Sequence, residues 1–177
     1  MDIEYIKQYL RNCKKRRMFI IVSVSGGKDS TVLLDLAMKH FRDLIDYVIY
    51  IEIVGNTHSV NKEFVHFLAD YYGLGERFVH IEGRSLCYGH RTYHDFWERI
   101  LTHSELPTPL RRFCMMEFKV MPRNRFIRQY SLYRHVELIA VKKSDRPNRK
   151  VWYNQAIKKG RNNLNATIVT PLLEWND

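Results

Sequence analysis

The feature that most constrains this chain is the run Met18-Phe-Ile-Ile-Val-Ser-Val24, followed without a break by Ser25-Gly26-Gly27-Lys28-Asp29-Ser30. The run is continuous rather than alternating, as in a strand covered on both faces. From Ser30 onward Val32, Leu33, Leu36 and Ala37 recur at helical spacing. A buried strand that turns into a helix through six polar and glycine residues predicts an α/β architecture. Two adjacent glycines leave room for φ > 0 and let backbone N–H groups point at an anion. The helix that follows offers unpaired N–H groups and the positive end of its dipole. Ser25 and Ser30 add hydroxyls and Lys28 a cation. Asp29 is the discordant member, since a carboxylate repels a phosphate unless a divalent cation such as Mg²⁺ bridges the two. An ordinary tight strand–helix turn is the competing reading. It needs only one glycine and does not account for the polar cluster.

The rest of the chain continues the alternation. An N-terminal helix is expected within residues 1–13, its clearest part over Ile3 to Leu10. Further strands are expected over Asp46 to Ile53, Phe78 to Ile81, Val136 to Val141 and Thr167 to Thr170. Helices are expected over Val60 to Tyr71, ended by Gly73, over Tyr93 to Leu101, and over Met121 to Tyr130 with Pro122 near its start. Five strands alternating with helices predict a doubly wound, mostly parallel five-stranded sheet flanked by helices. No linker divides the chain, so a single domain over 1–177 with a core over about 18–175 is expected. In such sheets ligands bind beyond the carboxyl ends of the strands, where the winding reverses.

Composition narrows the function. Of 177 residues, 45% are hydrophobic and 27% charged, which excludes disordered and fibrous classes. No apolar stretch approaches the roughly 20 residues of a membrane span. The first residues lack a secretory pattern, so a cytoplasmic location is expected. Three scattered cysteines (Cys13, Cys87, Cys114) form no CxxC pair and suit a reducing compartment rather than a disulfide framework or an iron–sulfur cluster. The +10 net charge is unevenly placed: residues 1–110 hold 14 basic and 14 acidic side chains, residues 111–177 hold 15 and 5. A polyanionic partner is the natural inference, either a phosphorylated small molecule or a nucleic acid; a solvated basic surface is the bland one. A homodimer is also kept open. Cys87, His90 and His94, with His80 and His103 nearby, resemble a metal set only loosely, because a fourth ligand at zinc spacing is missing.

The hexapeptide resembles the SGGxDS motif of the PP-loop ATP pyrophosphatases. Four later segments narrow the resemblance to their phosphoadenosine phosphosulfate (PAPS) reductase branch. Glu52-Ile-Val-Gly55-Asn56-Thr57 is similar to the family's second-strand end. Arg112-Phe-Cys114-Met-Met-Glu-Phe-Lys119-Val-Met-Pro122 is similar to its R-x-C-C-x-x-x-K-x-x-P segment. Ala140-Val-Lys142-Lys143-Ser-Asp145-Arg146-Pro147-Asn148-Arg149 resembles its G-[IV]-R-x-x-E-S-x-x-R stretch, and Thr170-Pro-Leu-Leu-Glu-Trp175 its hPLxxW element. The resemblance implies the HUP, or adenine nucleotide alpha hydrolase-like, fold. It also implies Mg-ATP as ligand, cleaved to AMP and pyrophosphate with adenylyl transfer to an acceptor; the acceptor is open, and a nucleic acid (tRNA or DNA), as in base-thiolating relatives, fits the basic C-terminal third. In that scheme Ser25, Gly26, Gly27 and Ser30 hold the pyrophosphate and Asp29 the metal. Lys28, Lys119, Lys142 and Arg149 neutralise developing charge, and Gly55 and Asn56 face the ribose or adenine.

Departures bear on the chemistry. The family's double cysteine is Cys114-Met115 here, and the sequence ends just after Trp175, so neither an iron–sulfur cluster nor the reductase thiol is expected. Lys142 stands for an arginine, keeping charge but losing bidentate geometry. A PAPS reductase using the same pocket, with Cys114 as its thiol, is the alternative reading. A nucleotide-binding module without turnover is another.

Overall fold

The computed structural model describes residues 2–86, 92–108, 111–142, 157–159 and 166–174. A six-stranded sheet runs through it in the order β3-β2-β1-β6-β8-β7. β1 (Phe19–Val24), β2 (Tyr47–Ile53), β3 (Phe78–Gly83), β6 (His135–Leu138) and β8 (Thr167–Val169) are parallel. These are the five expected strands in a doubly wound order. The sixth, β7 (Ile157–Lys159), pairs antiparallel with β8 at the edge and has no apolar run to announce it. β4 (Ser85–Leu86) and β5 (Thr92–Tyr93) form a separate two-stranded ribbon.

The helices are α1 (Ile3–Lys15), α2 (Lys28–His40), α3 (Ser59–Tyr71), α4 (Phe96–His103), α5 (Phe113–Met115) and α6 (Met121–Gln129). A π-helical stretch, Met116–Val120, joins α5 to α6 without a break, so helical structure begins eight residues before the expected start. α1 extends to Lys15 because Lys14 and Lys15 favour the negative end of its dipole. α4 begins at Phe96, not Tyr93. Asp95 caps it by accepting from the Glu98 N–H at 2.8 Å, and Tyr93 lies in β5. Gly73, at φ +55°, follows α3 as expected. Among the described residues no helix is long and apolar enough to cross a membrane.

The alternating side chains of β1 supply two cores. Ile20 and Val22, with Val48, Tyr50, Val136 and Leu138, pack against α1, α2 and α3 through Leu10, Leu33, Ala37, Val65 and Leu68. Ile21 and Ile49 face the other way onto Phe126, Ile127 and Leu132. Strands covered on both faces explain the uninterrupted apolar run of β1. The winding reverses between β1 and β6, which puts the loops after Val24 and Leu138 side by side at the carboxyl edge.

Candidate functional site

The loop after β1 is open. Ser25, Gly27 and Lys28 are exposed, and Gly26 takes φ +75°. Gly27 is the N-cap of α2, so Lys28 and Asp29 occupy its first turn and not a loop. Among the described residues the N–H groups of Gly26, Gly27 and Asp29 have no hydrogen-bond partner. Three unpaired amides at a helix N-terminus are suited to an anion.

The serines act differently from one another. Ser30 is buried, accepts from the Ser25 N–H at 3.1 Å and donates to the Gly27 carbonyl at 2.9 Å. Its hydroxyl thus braces the bend from within, and Ser25 is the serine at the surface.

A support invisible in the motif comes from α3. Asn61 donates from Nδ2 to the Ser25 carbonyl at 3.1 Å and lies 3.4 Å from the Tyr50 hydroxyl. A Cβ on Gly26 would sit 2.1 Å from Asn61 Oδ1, so the glycine is required both by its positive φ and by this neighbour.

Asp29 meets Lys142 across the reversal point, with Nζ 2.9 Å from Oδ1. The Lys142 side chain is 8% exposed and that of Asp29 34%. The pairing supplies a partner for the carboxylate that the sequence left discordant, from a residue 113 positions away. The Asp29 side chain stays partly exposed beside the open loop. A hard carboxylate oxygen beside an anion seat suits Mg²⁺, which takes one or two carboxylates together with phosphate oxygens.

Beneath the loop, on the α6 side of the sheet, lies a cleft of about 260 Å³ lined by Ser25, Ile49, Ile51, Lys119, Arg123 and Glu137. Lys119 comes from the π stretch, a geometry often found at functional sites. That stretch is fixed from outside by Arg99, which is 5% exposed. Arg99 donates to Glu117 at 3.1 Å, and its guanidinium carbon stands 4.3 Å from the centre of the Phe113 ring. The cleft floor is a buried polar network. Glu137 accepts from Ser23 Oγ at 2.5 Å and from both Nε and Nη2 of Arg123. Arg123 Nη2 also lies 3.0 Å from His135 Nε2, and His135 Nδ1 lies 2.8 Å from the Leu132 carbonyl. Burial, then the Arg123 charge, pushes the His135 pKa down, so the ring is neutral. It then donates through Nδ1 and accepts from Arg123.

Gly55 and Asn56 lie at the carboxyl end of β2, in a turn held by the Asn56 and Thr57 N–H groups on the Ile53 carbonyl. Gly55 has φ +84°, its carbonyl accepts from Trp97 Nε1 at 2.7 Å, and a Cβ there would stand 3.1 Å from Asp95 Cβ. The turn is therefore seated under α4, while Asn56 remains exposed. Glu52 points elsewhere, to Lys62 at 3.1 Å and His80 at 2.8 Å, the latter out of line for a hydrogen bond. Burial lowers the His80 pKa despite that carboxylate.

Cys114 is half-buried and packs with Phe113 against Ile53, Phe96, Ile100 and Phe118. Arg149, Lys143 and Arg146, like Cys87 and His90 of the loose metal set, lie outside the described residues. Of the other members of that set, His103 Nε2 lies 2.5 Å from the Tyr93 hydroxyl and His80 pairs with Glu52.

An uncharacterized protein of Methanocaldococcus jannaschii is 32% identical over 129 residues, 73% of this chain. The chain spans 28% of that relative's length. The sequence profile of the phosphoadenosine phosphosulfate reductase domain matches residues 19–177, from the first residue of β1 to the C-terminus. The chain belongs to the phosphoadenosine phosphosulfate reductase domain family, within the PP-loop, or adenine nucleotide alpha hydrolase, superfamily.

Proposed function

We propose that the chain binds ATP at the β1–α2 bend and transfers its adenylyl group to an acceptor, releasing pyrophosphate. The observation that carries this reading is the set of free N–H groups on Gly26, Gly27 and Asp29, opening beside a cleft that holds Lys119. The amides and Lys28 would hold the pyrophosphate moiety, and the 260 Å³ cleft would take the nucleoside. An acceptor nucleophile attacks the α-phosphorus and loses its proton. The bond to the bridging oxygen breaks, and its electron pair leaves with pyrophosphate. Fixed amides and Lys119 would stabilise the added charge, so catalysis is positioning plus electrostatics. Mg²⁺, held by Asp29 and phosphate oxygens, would neutralise charge on the phosphates. Lys142 would keep the Asp29 carboxylate aimed at the bend, and Arg149 would add a further cation.

Product analysis tests this: ATP incubated with protein and candidate acceptors should give AMP-linked product and pyrophosphate. ATP binding without either product, across acceptors, would make the chain a binding module instead. Asp29→Ala should weaken binding of Mg-ATP but leave ATP binding in EDTA unchanged; equal losses would remove the metal role. The reductase alternative needs an attacking thiol. The packing of Cys114 against the Phe96 cluster supports the first reading. Sulfite released from PAPS with thioredoxin, and lost in Cys114→Ser, would reverse that preference.

A further inference from the structure

The outer surface of α6 is basic and grooved, and it adjoins the cleft. On one side lies a groove of about 760 Å³ lined by Met116, Val120, Met121, Asn124, Arg125 and Arg128. On the other, between α6 and the sheet's edge strand β3, lies one of about 530 Å³ whose lining includes Ile81, Glu82, Arg84, Arg125, Gln129 and Tyr130. Arg125 and Gln129 line both, so α6 is a ridge between two troughs. Arg125, Arg128, Tyr130, Tyr133 and Arg134 are exposed along or just beyond it.

Charge there is mostly positive: Glu82, the carboxylate of the second trough, is taken by Arg84 at 2.7 Å. Between Arg111 and Arg134 the sequence contains seven basic residues and one carboxylate, Glu117, which is taken by Arg99. Neither Arg125 nor Arg128 has a carboxylate partner among the described residues. The trough floors are apolar: Met116 is 53% exposed and Tyr130 53%. Val120 lines both the first trough and the nucleotide cleft, so the two are neighbours.

We infer that a single-stranded nucleic acid docks along α6, with phosphates on Arg125 and Arg128 and bases over Met116, Met121 and Tyr130. Guanidinium groups suit phosphate oxygens, and methionine and tyrosine surfaces take base faces. A duplex would present its backbone to the ridge and leave the apolar troughs unused, whereas an unstacked strand uses both. An acidic polypeptide matches the charge but offers no flat π faces. The ridge from Met116 to Gln129 is about 20 Å long at ~1.5 Å per residue, room for roughly four nucleotides. Val120 lines the first trough and the cleft alike, which would bring the strand beside the nucleotide as the adenylyl acceptor. That last step rests on the proposed ATP reaction; the docking itself does not.

Fluorescence anisotropy of the full chain, without ATP, against a fluorescein-labelled mixed-sequence 20-nucleotide strand tests the docking. The DNA and RNA forms are both titrated from low to high salt. Arg125→Glu/Arg128→Glu should cut affinity at least tenfold and lower the log–log salt slope by about 1.4, at ~0.7 per neutralised phosphate. Lys15→Glu/Arg16→Glu makes the same net charge change on exposed residues at the end of α1 and should stay within threefold of the parent. Melting curves check folding, and Arg125→Gln/Arg128→Gln serves if the reversal does not fold. Equal losses in the two reversals, duplex binding as tight as strand binding, equal binding of polyglutamate, or no binding at low salt would each overturn the inference. Strand binding without ATP binding would overturn only its role as acceptor.

Discussion

Replacing Gly26 by alanine tests the geometry of the phosphate bend through stability alone. At φ +75° an alanine costs about 1–2 kcal/mol relative to glycine. Its Cβ would also stand 2.1 Å from Asn61 Oδ1 and 2.9 Å from Val65 Cγ2. Asn61 must turn away and give up its bond to the Ser25 carbonyl, a further ~0.5–1.5 kcal/mol. The expected loss is about 2–3 kcal/mol in urea unfolding, or a melting point lower by roughly 5–10 °C for a chain of this size. Gly27→Ala is the control. Its φ is −79° and the nearest atom to a new Cβ is 3.6 Å away, so stability should change by no more than about 0.5 kcal/mol. Adding Asn61→Ala to Gly26→Ala should recover part of the loss, with a coupling of about 1 kcal/mol between two touching residues. If Gly26→Ala and Gly27→Ala prove equally stable, or the coupling is zero, the left-handed bend buttressed by Asn61 is wrong.

Two further perturbations bear on the floor of the cleft. Arg123→Met strands Glu137, whose side chain is 10% exposed, and should cost about 3–5 kcal/mol in denaturant unfolding, whereas Arg123→Met/Glu137→Leu should recover more than half of that. Stability should also fall as pH drops below the ordinary histidine value of about 6.5, because His135 and His80 are held neutral and their folded pKa values lie below the unfolded one. The contribution is present above that pH and lost as pH falls through the folded values. Urea midpoints at pH 7.5 and 5.5 should differ less in His135→Gln than in the parent, and an unchanged difference would remove the histidine from the account.

The β1–bend–α2 unit was legible because its information is local: an apolar run, two glycines and a helical stripe lie within some twenty residues. The parallel, doubly wound class follows too, since strand–helix alternation permits few windings, but the order that sets β6 beside β1 does not. The supports of the site are not local. Nothing in the residues around Asn61 marks it as the brace of a bend 36 positions earlier, and the Asp29–Lys142 and Ser23–Glu137–Arg123 contacts exist only once β6 lies beside β1. Ser30 reads in the motif as a phosphate donor, but folding points its hydroxyl inward. The helical stretch from Phe113 was missed because the arginines and methionines there lack a clean apolar stripe, and it is held by the tertiary Arg99–Glu117 contact. The edge strand β7, only three residues with two lysines, carries no strand signal of its own.

Titration calorimetry with ATP and with adenosine tests the central claim most directly, since the two ligands differ only in the phosphates assigned to the bend. ATP should bind at least a hundredfold more tightly than adenosine, and Lys28→Ala should shrink that ratio while leaving adenosine binding alone. Equal affinities for the two, or a ratio insensitive to Lys28, would contradict a phosphate seat at residues 25–30.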